Sequence, residues 1–219
     1  MEKHKVIERI RQVGVLPVLR ASSADLAMRL ADAIAEGGIS ALEVTMTVPK
    51  AIGVIRKLVE QRPDLLIGAG TVLDPETARI CILEGAEFIV SPTLNEATVR
   101  LCRRYSVAVL SGALTPSEVL RAWEAGSDIV KVFPASAMGG AKYLKSLKAP
   151  LPQVELIPTG GVSVATAKDF LEAGAFALGV GADLANEKAV AEGRASVVTE
   201  IARQYAAIVG DFRAASSGK

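Results

Sequence analysis

A chain of 219 residues that is 50% hydrophobic and 22% charged has the composition of a packed globular protein, not of a disordered one. Its 25 Lys and Arg are balanced by 24 Asp and Glu, and only 4% of residues are aromatic. Neither the basic face nor the stacking platform of a nucleic-acid binder is therefore expected. The single histidine, His4 in the opening segment, excludes multi-histidine metal sites and leaves the body of the chain without an imidazole for Ser-His-Asp or Cys-His catalysis. Two cysteines, Cys81 and Cys102, are too few for a disulfide framework and point to a reducing, cytoplasmic setting. The opening MEKHKVIERIRQVG is charged and amphipathic, unlike a secretory signal. No stretch approaches the roughly 18 apolar residues that span a bilayer, so no membrane partner is expected.

In chain order, residues 2–13 read as a helix preceding the first strand. Short β-branched runs then recur at 15–20 (VLPVLR), 41–46 (ALEVTM), 65–70 (LLIGAG), 88–92 (FIVSP), 108–113 (AVLSGA), 129–134 (IVKVFP), 155–160 (ELIPTG) and 177–182 (ALGVGA). Amphipathic stretches fill the intervals. One opens at Ser22-Ser23-Ala24-Asp25 and stops at Gly37-Gly38. Others open at Asp74-Pro75-Glu76 and Thr115-Pro116-Ser117-Glu118, each with an N-cap residue followed by proline, and close near Gly85 and Gly126. The segments AEGGISALEV, LEGAEFIVSP, WEAGSDIVKV and LEAGAFALGV form a faint repeat of helix end, glycine, short link and buried strand. Glycine fits there because the chain leaves a helix through a left-handed conformation.

Strands alternating with helices imply a parallel sheet, because parallel neighbours need a crossover. Eight such units in this length predict a single (β/α)8 TIM barrel over residues 1–219. The barrel proper runs from about 15 to 212, and 214–219 read as a frayed tail. The first strand is followed by no G-x-G-x-x-G, which argues against a dinucleotide-binding sheet.

Active sites of such barrels lie at the C-terminal ends of the strands. Two charged residues stand inside apolar strands: Lys131 in Ile129-Val130-Lys131-Val132-Phe133, and Glu43 in Ala41-Leu42-Glu43-Val44, with Thr45 on the same face as Glu43. They read either as a buried ion pair that merely fixes the barrel or as a nucleophilic amine beside an acid/base carboxylate. Burial away from water favours the neutral amine, which suits Schiff-base formation with a carbonyl substrate. The loops Thr159-Gly160-Gly161-Val162-Ser163 and Gly179-Val180-Gly181-Ala182-Asp183, the second expected to lead into a short helix, follow strands seven and eight. In barrels these loops commonly hold a phosphate; turn glycines are the plainer alternative. Arg20 at the end of strand one is a candidate carboxylate clamp or a surface arginine. Thr71 and Pro92 mark the ends of strands three and four. Phe133-Pro134 reads as a pocket wall or as barrel packing. Cys81 and Cys102 read as packing residues, and no cluster of acids and histidines suggests a metal.

LEVTMTVPKA, IGAGTVLDPE, EFIVSPTLNE, DIVKVFPAS, LIPTGGVS and LGVGADL, in this order and spacing over roughly residues 10 to 210, resemble the 2-keto-3-deoxy-6-phosphogluconate/4-hydroxy-2-oxoglutarate aldolase family. The resemblance implies a class I aldolase, usually a homotrimer, that acts on a 2-keto acid and an aldehyde and needs no metal or cofactor. It implies that Lys131 carries the Schiff base and that Glu43 is the general acid/base. Thr71, Pro92, Phe133 and Thr159 then fall at pocket positions, and Gly160, Gly161 and Gly181 at the phosphate site. The chain departs from many members at Thr47, where some carry an arginine for the substrate carboxylate; Arg20 matches the alternative arginine after strand one. It departs again at Ala182, where many members have serine. A 6-phosphogalactonate aldolase, a phosphosugar isomerase or epimerase barrel using Glu43 as base, and a non-catalytic phosphosugar-binding barrel remain the alternatives.

Overall fold

The computed structural model describes residues 1–217. Eight strands alternate with helices: β1 (Val15–Leu19), β2 (Ala41–Thr45), β3 (Leu66–Gly70), β4 (Phe88–Val90), β5 (Ala108–Ala113), β6 (Ile129–Val132), β7 (Leu156–Pro158) and β8 (Leu178–Val180). The helices are α1 (Lys3–Val13), α2 (Ala24–Glu36), α3 (Ala51–Gln61), α4 (Pro75–Leu83), α5 (Glu96–Arg104), α6 (Pro116–Ala125), α7 (Ala141–Lys148), α8 (Ala167–Glu172), α9 (Glu187–Ala191) and α10 (Ala195–Ser217). All strand pairs are parallel, in the order β7-β6-β5-β4-β3-β2-β1-β8. A parallel bridge between Thr159 and Gly179 spans the remaining gap, giving the (β/α)8 barrel that the alternation predicted.

Local chemistry explains the helix ends. Ser23, Asp74 and Thr115 each accept a backbone N–H of the first turn, and Thr115 with Glu118 forms a reciprocal capping box. The repeat glycines leave their helices as expected: Gly38, Gly85, Gly126 and Gly174 all have positive φ.

Strand residues alternate between two cores. Val15, Leu19, Leu42, Val44 and their equivalents pack outward against the helices. Leu16, Ala41, Leu66, Phe88, Leu110 and Ile129 fill the barrel interior together with Val6 and Ile10 of α1. The amphipathic N-terminal helix thus closes the bottom of the barrel, where Lys3 pairs with Asp128 at 2.7 Å and Asp128 accepts the N–H of Val109. The top is left for chemistry.

Two boundaries differ from expectation. The last helix continues beyond 212 to Ser217, so 214–217 are helical and not a frayed tail; 218–219 lie outside the described residues. After β8 the chain makes a single turn, with Leu184 and Ala185 donating to the Gly181 carbonyl, and the short helix begins only at Glu187.

Candidate active site

The two-residue period of the strands brings the sequence candidates to one end. Lys131 on β6 and Glu43 on β2 point inward from opposite sides of the barrel, and Lys131 Nζ lies 3.1 Å from Glu43 Oε1. Glu43 is 1% exposed and Lys131 7%, so the contact is almost dry but reachable from the mouth. Mutual attraction offsets the cost of burying each charge, and loss of either partner would strand the other. Gly70 makes room for the acid: a Cβ there would come within 2.9 Å of the Glu43 carboxyl. The Phe133 ring centroid is 5.7 Å from the ammonium nitrogen.

Around this pair the strand ends supply the rim. Arg20 follows β1 on the inward register of Leu16, is exposed, and has no hydrogen-bond or ion-pair partner among the described residues. Thr45 donates its hydroxyl to the Leu19 carbonyl at 3.0 Å and lies 2.7 Å from the Thr47 hydroxyl, fixing the backbone just before Arg20. Thr71 has φ 56°, which is strained for a β-branched residue. It is held there because Gly70 before it accepts from Met46 while Val72 after it donates to Val90. Pro92 and Phe133 line a cavity of about 380 Å³ with Gly112, Leu114 and, from α6, Glu118 and Arg121; neither Lys131 nor Glu43 is part of its lining. The Thr159 hydroxyl is buried with no partner among the described residues and sits where a Cβ on Gly179 would be 2.1 Å away. It is a buried polar group left without a partner beside the strand ends.

The glycine loops form the opposite rim. The carbonyls of Thr159 and Gly160 accept from Ala135 and Ser136, and Gly160 and Gly161 have φ of 89° and 79°. The backbone N–H groups of Gly161, Gly181 and Ala182 have no partner among the described residues, whereas that of Gly160 faces the Gly179 carbonyl through the parallel bridge. Successive unpaired N–H groups of this kind suit an anion. Gly181 itself is not demanded by geometry, since its φ is not positive and a Cβ would meet nothing within 4 Å.

Other residues fall away from the mouth. His4 lies on α1, at the closed end. Cys81 and Cys102 are fully buried, and burial pushes their thiols up to about 11 and about 12, so neither is a nucleophile. Among the described residues, no group of three or more His, Cys, Asp and Glu is placed to hold a metal ion, and no helix is long and apolar enough to cross a membrane. Sequence reasoning placed Asp183 in the loop after strand eight but missed its partner Tyr205, and missed Glu187 as a neighbour of the site. Their contacts cross 22 and 165 positions of chain, and no local pattern marks them.

The sequence model of the family described as KDPG and KHG aldolase matches residues 6–201. The chain is 38% identical over 167 residues to a 2-dehydro-3-deoxy-phosphogluconate aldolase of Haemophilus influenzae, covering 76% of this chain and 79% of that one. It is 33% identical to a KHG/KDPG aldolase of Escherichia coli K12, covering 87% and 89%. Among solved structures it is similar, at TM-score 0.84 and 31% identity, to the KDPG aldolase of Legionella pneumophila with pyruvate captured as a covalent carbinolamine intermediate. That match covers 90% of this chain and 96% of the other. With the barrel, the buried lysine–glutamate pair and these matches in agreement, the chain belongs to the KDPG and KHG aldolase family and is a lyase.

Proposed function

We propose that the protein is a class I, Schiff-base aldolase. It reversibly cleaves 2-keto-3-deoxy-6-phosphogluconate to pyruvate and glyceraldehyde 3-phosphate, and 4-hydroxy-2-oxoglutarate to pyruvate and glyoxylate. The observation that carries this reading is the buried 3.1 Å contact between Lys131 and Glu43 at the reachable end of the barrel. The names of the relatives support the substrates.

The contact gives both groups their work. A proton passes from Lys131 to Glu43, and the neutral amine attacks the C2 ketone to form a carbinolamine. Glu43 returns the proton to the departing hydroxyl, water leaves, and an iminium remains. The Glu43 carboxylate then takes the C4 hydroxyl proton as the C3–C4 bond breaks. Its electron pair flows into the iminium, giving a free aldehyde and the enamine of pyruvate. Protonation of the enamine at C3 and hydrolysis release pyruvate and restore the amine. Arg20 clamps the substrate carboxylate, with Thr71 and Pro92 beside it, and Phe133 walls the pocket. Thr159 supplies a hydroxyl, and the unpaired N–H groups of the two glycine loops take the phosphate. The working form on this reading is a homotrimer in the cytoplasm; apolar side chains left exposed on α4 and α6, among them Ile80, Leu83 and Trp123, support assembly.

Borohydride reduction in the presence of pyruvate tests the reading. Mass spectrometry should find one pyruvate-derived group, on Lys131. Modification confined to surface lysines would refute the class I mechanism.

A further inference from the structure

Two carboxylates of the segment between β8 and α10 reach loops that follow other strands. Asp183 holds one oxygen, Oδ2, between two donors: the Tyr205 hydroxyl at 2.6 Å and the Val164 backbone N–H at 3.3 Å. Tyr205 lies on α10 and is fully buried; burial, with Asp183 beside it, pushes its phenol far above the ordinary range, so it remains a donor. Val164 belongs to the loop after β7, three residues beyond Gly161. Four residues after Asp183, Glu187 Oε1 accepts the Ser22 backbone N–H at 2.8 Å and the Ser22 hydroxyl as well. Ser22 is two residues beyond Arg20.

Two carboxylates on one segment therefore tie down the loops on either side of it, the one after β7 and the one after β1. We infer that Asp183 and Glu187 are positioning residues with separate duties: Asp183 fixes the β7 loop against the β8 loop for the phosphate, and Glu187 fixes the β1 loop from which Arg20 reaches the keto-acid carboxylate. The inference rests on the phosphate and carboxylate assignments above. Its physical basis is preorganisation. Glycine loops with positive φ have much freedom to lose, and a loop that is ordered before binding does not spend binding energy on ordering.

The two duties leave different kinetic signatures. Asp183→Ala should raise KM for the phosphorylated substrate about tenfold, as for a lost charge-assisted hydrogen bond at a partly open site, with kcat unchanged and the unphosphorylated substrate unaffected. Asp183→Asn should restore wild-type behaviour, because an amide oxygen accepts from the same two donors. Tyr205→Phe should reproduce the Asp183→Ala pattern more weakly. Glu187→Ala should raise KM several-fold for both substrates, and for pyruvate in the condensation direction, since all share the carboxylate; Glu187→Gln should rescue. Backbone amide exchange separates a lost tether from a lost fold: Val164 should exchange faster in Asp183→Ala, and Ser22 in Glu187→Ala, with strand amides still protected. If wild type cleaves both substrates but each alanine variant shifts them alike, this inference fails and the aldolase reading stands. If Asp183→Asn lowers KM for the phosphorylated substrate, Asp183 acts as a repelling charge, and the positioning role is overturned. A folded wild-type protein that cleaves neither substrate refutes the aldolase reading, and the two duties with it.

Discussion

Glu43 has the most demanding position in the molecule. At 1% exposure it depends on Lys131 for its counter-charge and on Gly70 for the space that its carboxyl occupies. Replacing it by glutamine preserves shape and removes the proton acceptor. Glu43→Gln should keep its circular-dichroism spectrum while losing at least about two orders of magnitude in kcat. It should also slow exchange of the pyruvate methyl protons, because the same carboxylate moves them; near-normal exchange by NMR would place the base elsewhere. Ala182 governs a subtler matter. Its N–H has no partner among the described residues, and its side chain offers no hydroxyl to the phosphate proposed there. A hydrogen bond to a charged group is worth about 1.5–3 kcal/mol when fully engaged, and water at an open rim replaces part of it. The wild-type enzyme should therefore cleave both substrates with a modest preference for the phosphorylated one. Ala182→Ser should lower KM for that substrate about tenfold and leave the other nearly unchanged. Steady-state kinetics on both substrates decide it, and an equal response would mean that position 182 does not touch phosphate.

The elements divide the labour between the two ends of the barrel. α1 packs Val6 and Ile10 into the interior cluster at the closed end, remote from the Lys131–Glu43 contact. Ile10→Ala should cost about 2–4 kcal/mol in a urea titration while leaving kcat per folded molecule unchanged, because the cavity opens at the end that carries no chemistry. This division also explains what was legible in the sequence. The strands could be read to within two residues at each end because both faces are buried, so each appears as a β-branched run bounded by helix signals. Lys131 and Glu43 stood out for the same reason: a charge inside such a run has no cheap explanation. Illegible features depend on contacts that only the closed barrel creates. The left-handed Thr71 is imposed by hydrogen bonds of its two neighbours to other strands, and the late start of α9 reflects a turn that closes on the Gly181 carbonyl. The contact of Asp183 with Tyr205 of α10 spans 22 positions of chain and has no local signature.

For the whole molecule, the same layering that keeps reactive groups at the mouth keeps both thiols out of solvent. Cys81 and Cys102 lie between the barrel and its helices, fully buried, with burial the largest cause of their raised thiol pKa, about 11 and about 12 against an ordinary 9.0. Below pH 9 the thiol is neutral in both folded and unfolded chains, and its contribution to stability is complete. Above 9 the unfolded chain releases protons that the folded chain retains, so the unfolded state gains and stability falls as pH climbs toward 11 and 12. The melting temperature should therefore decline through this alkaline window, and the decline should be shallower in a Cys81→Ala/Cys102→Ala double variant once its lower starting stability is subtracted. In the native protein at pH 8, a thiol reagent such as Ellman's should find neither cysteine on the timescale of turnover and should find both in urea. Rapid labelling of either thiol in the folded enzyme would mean that the helix layer opens far more readily than its packing implies. An unchanged alkaline decline in the double variant would assign the loss to other groups.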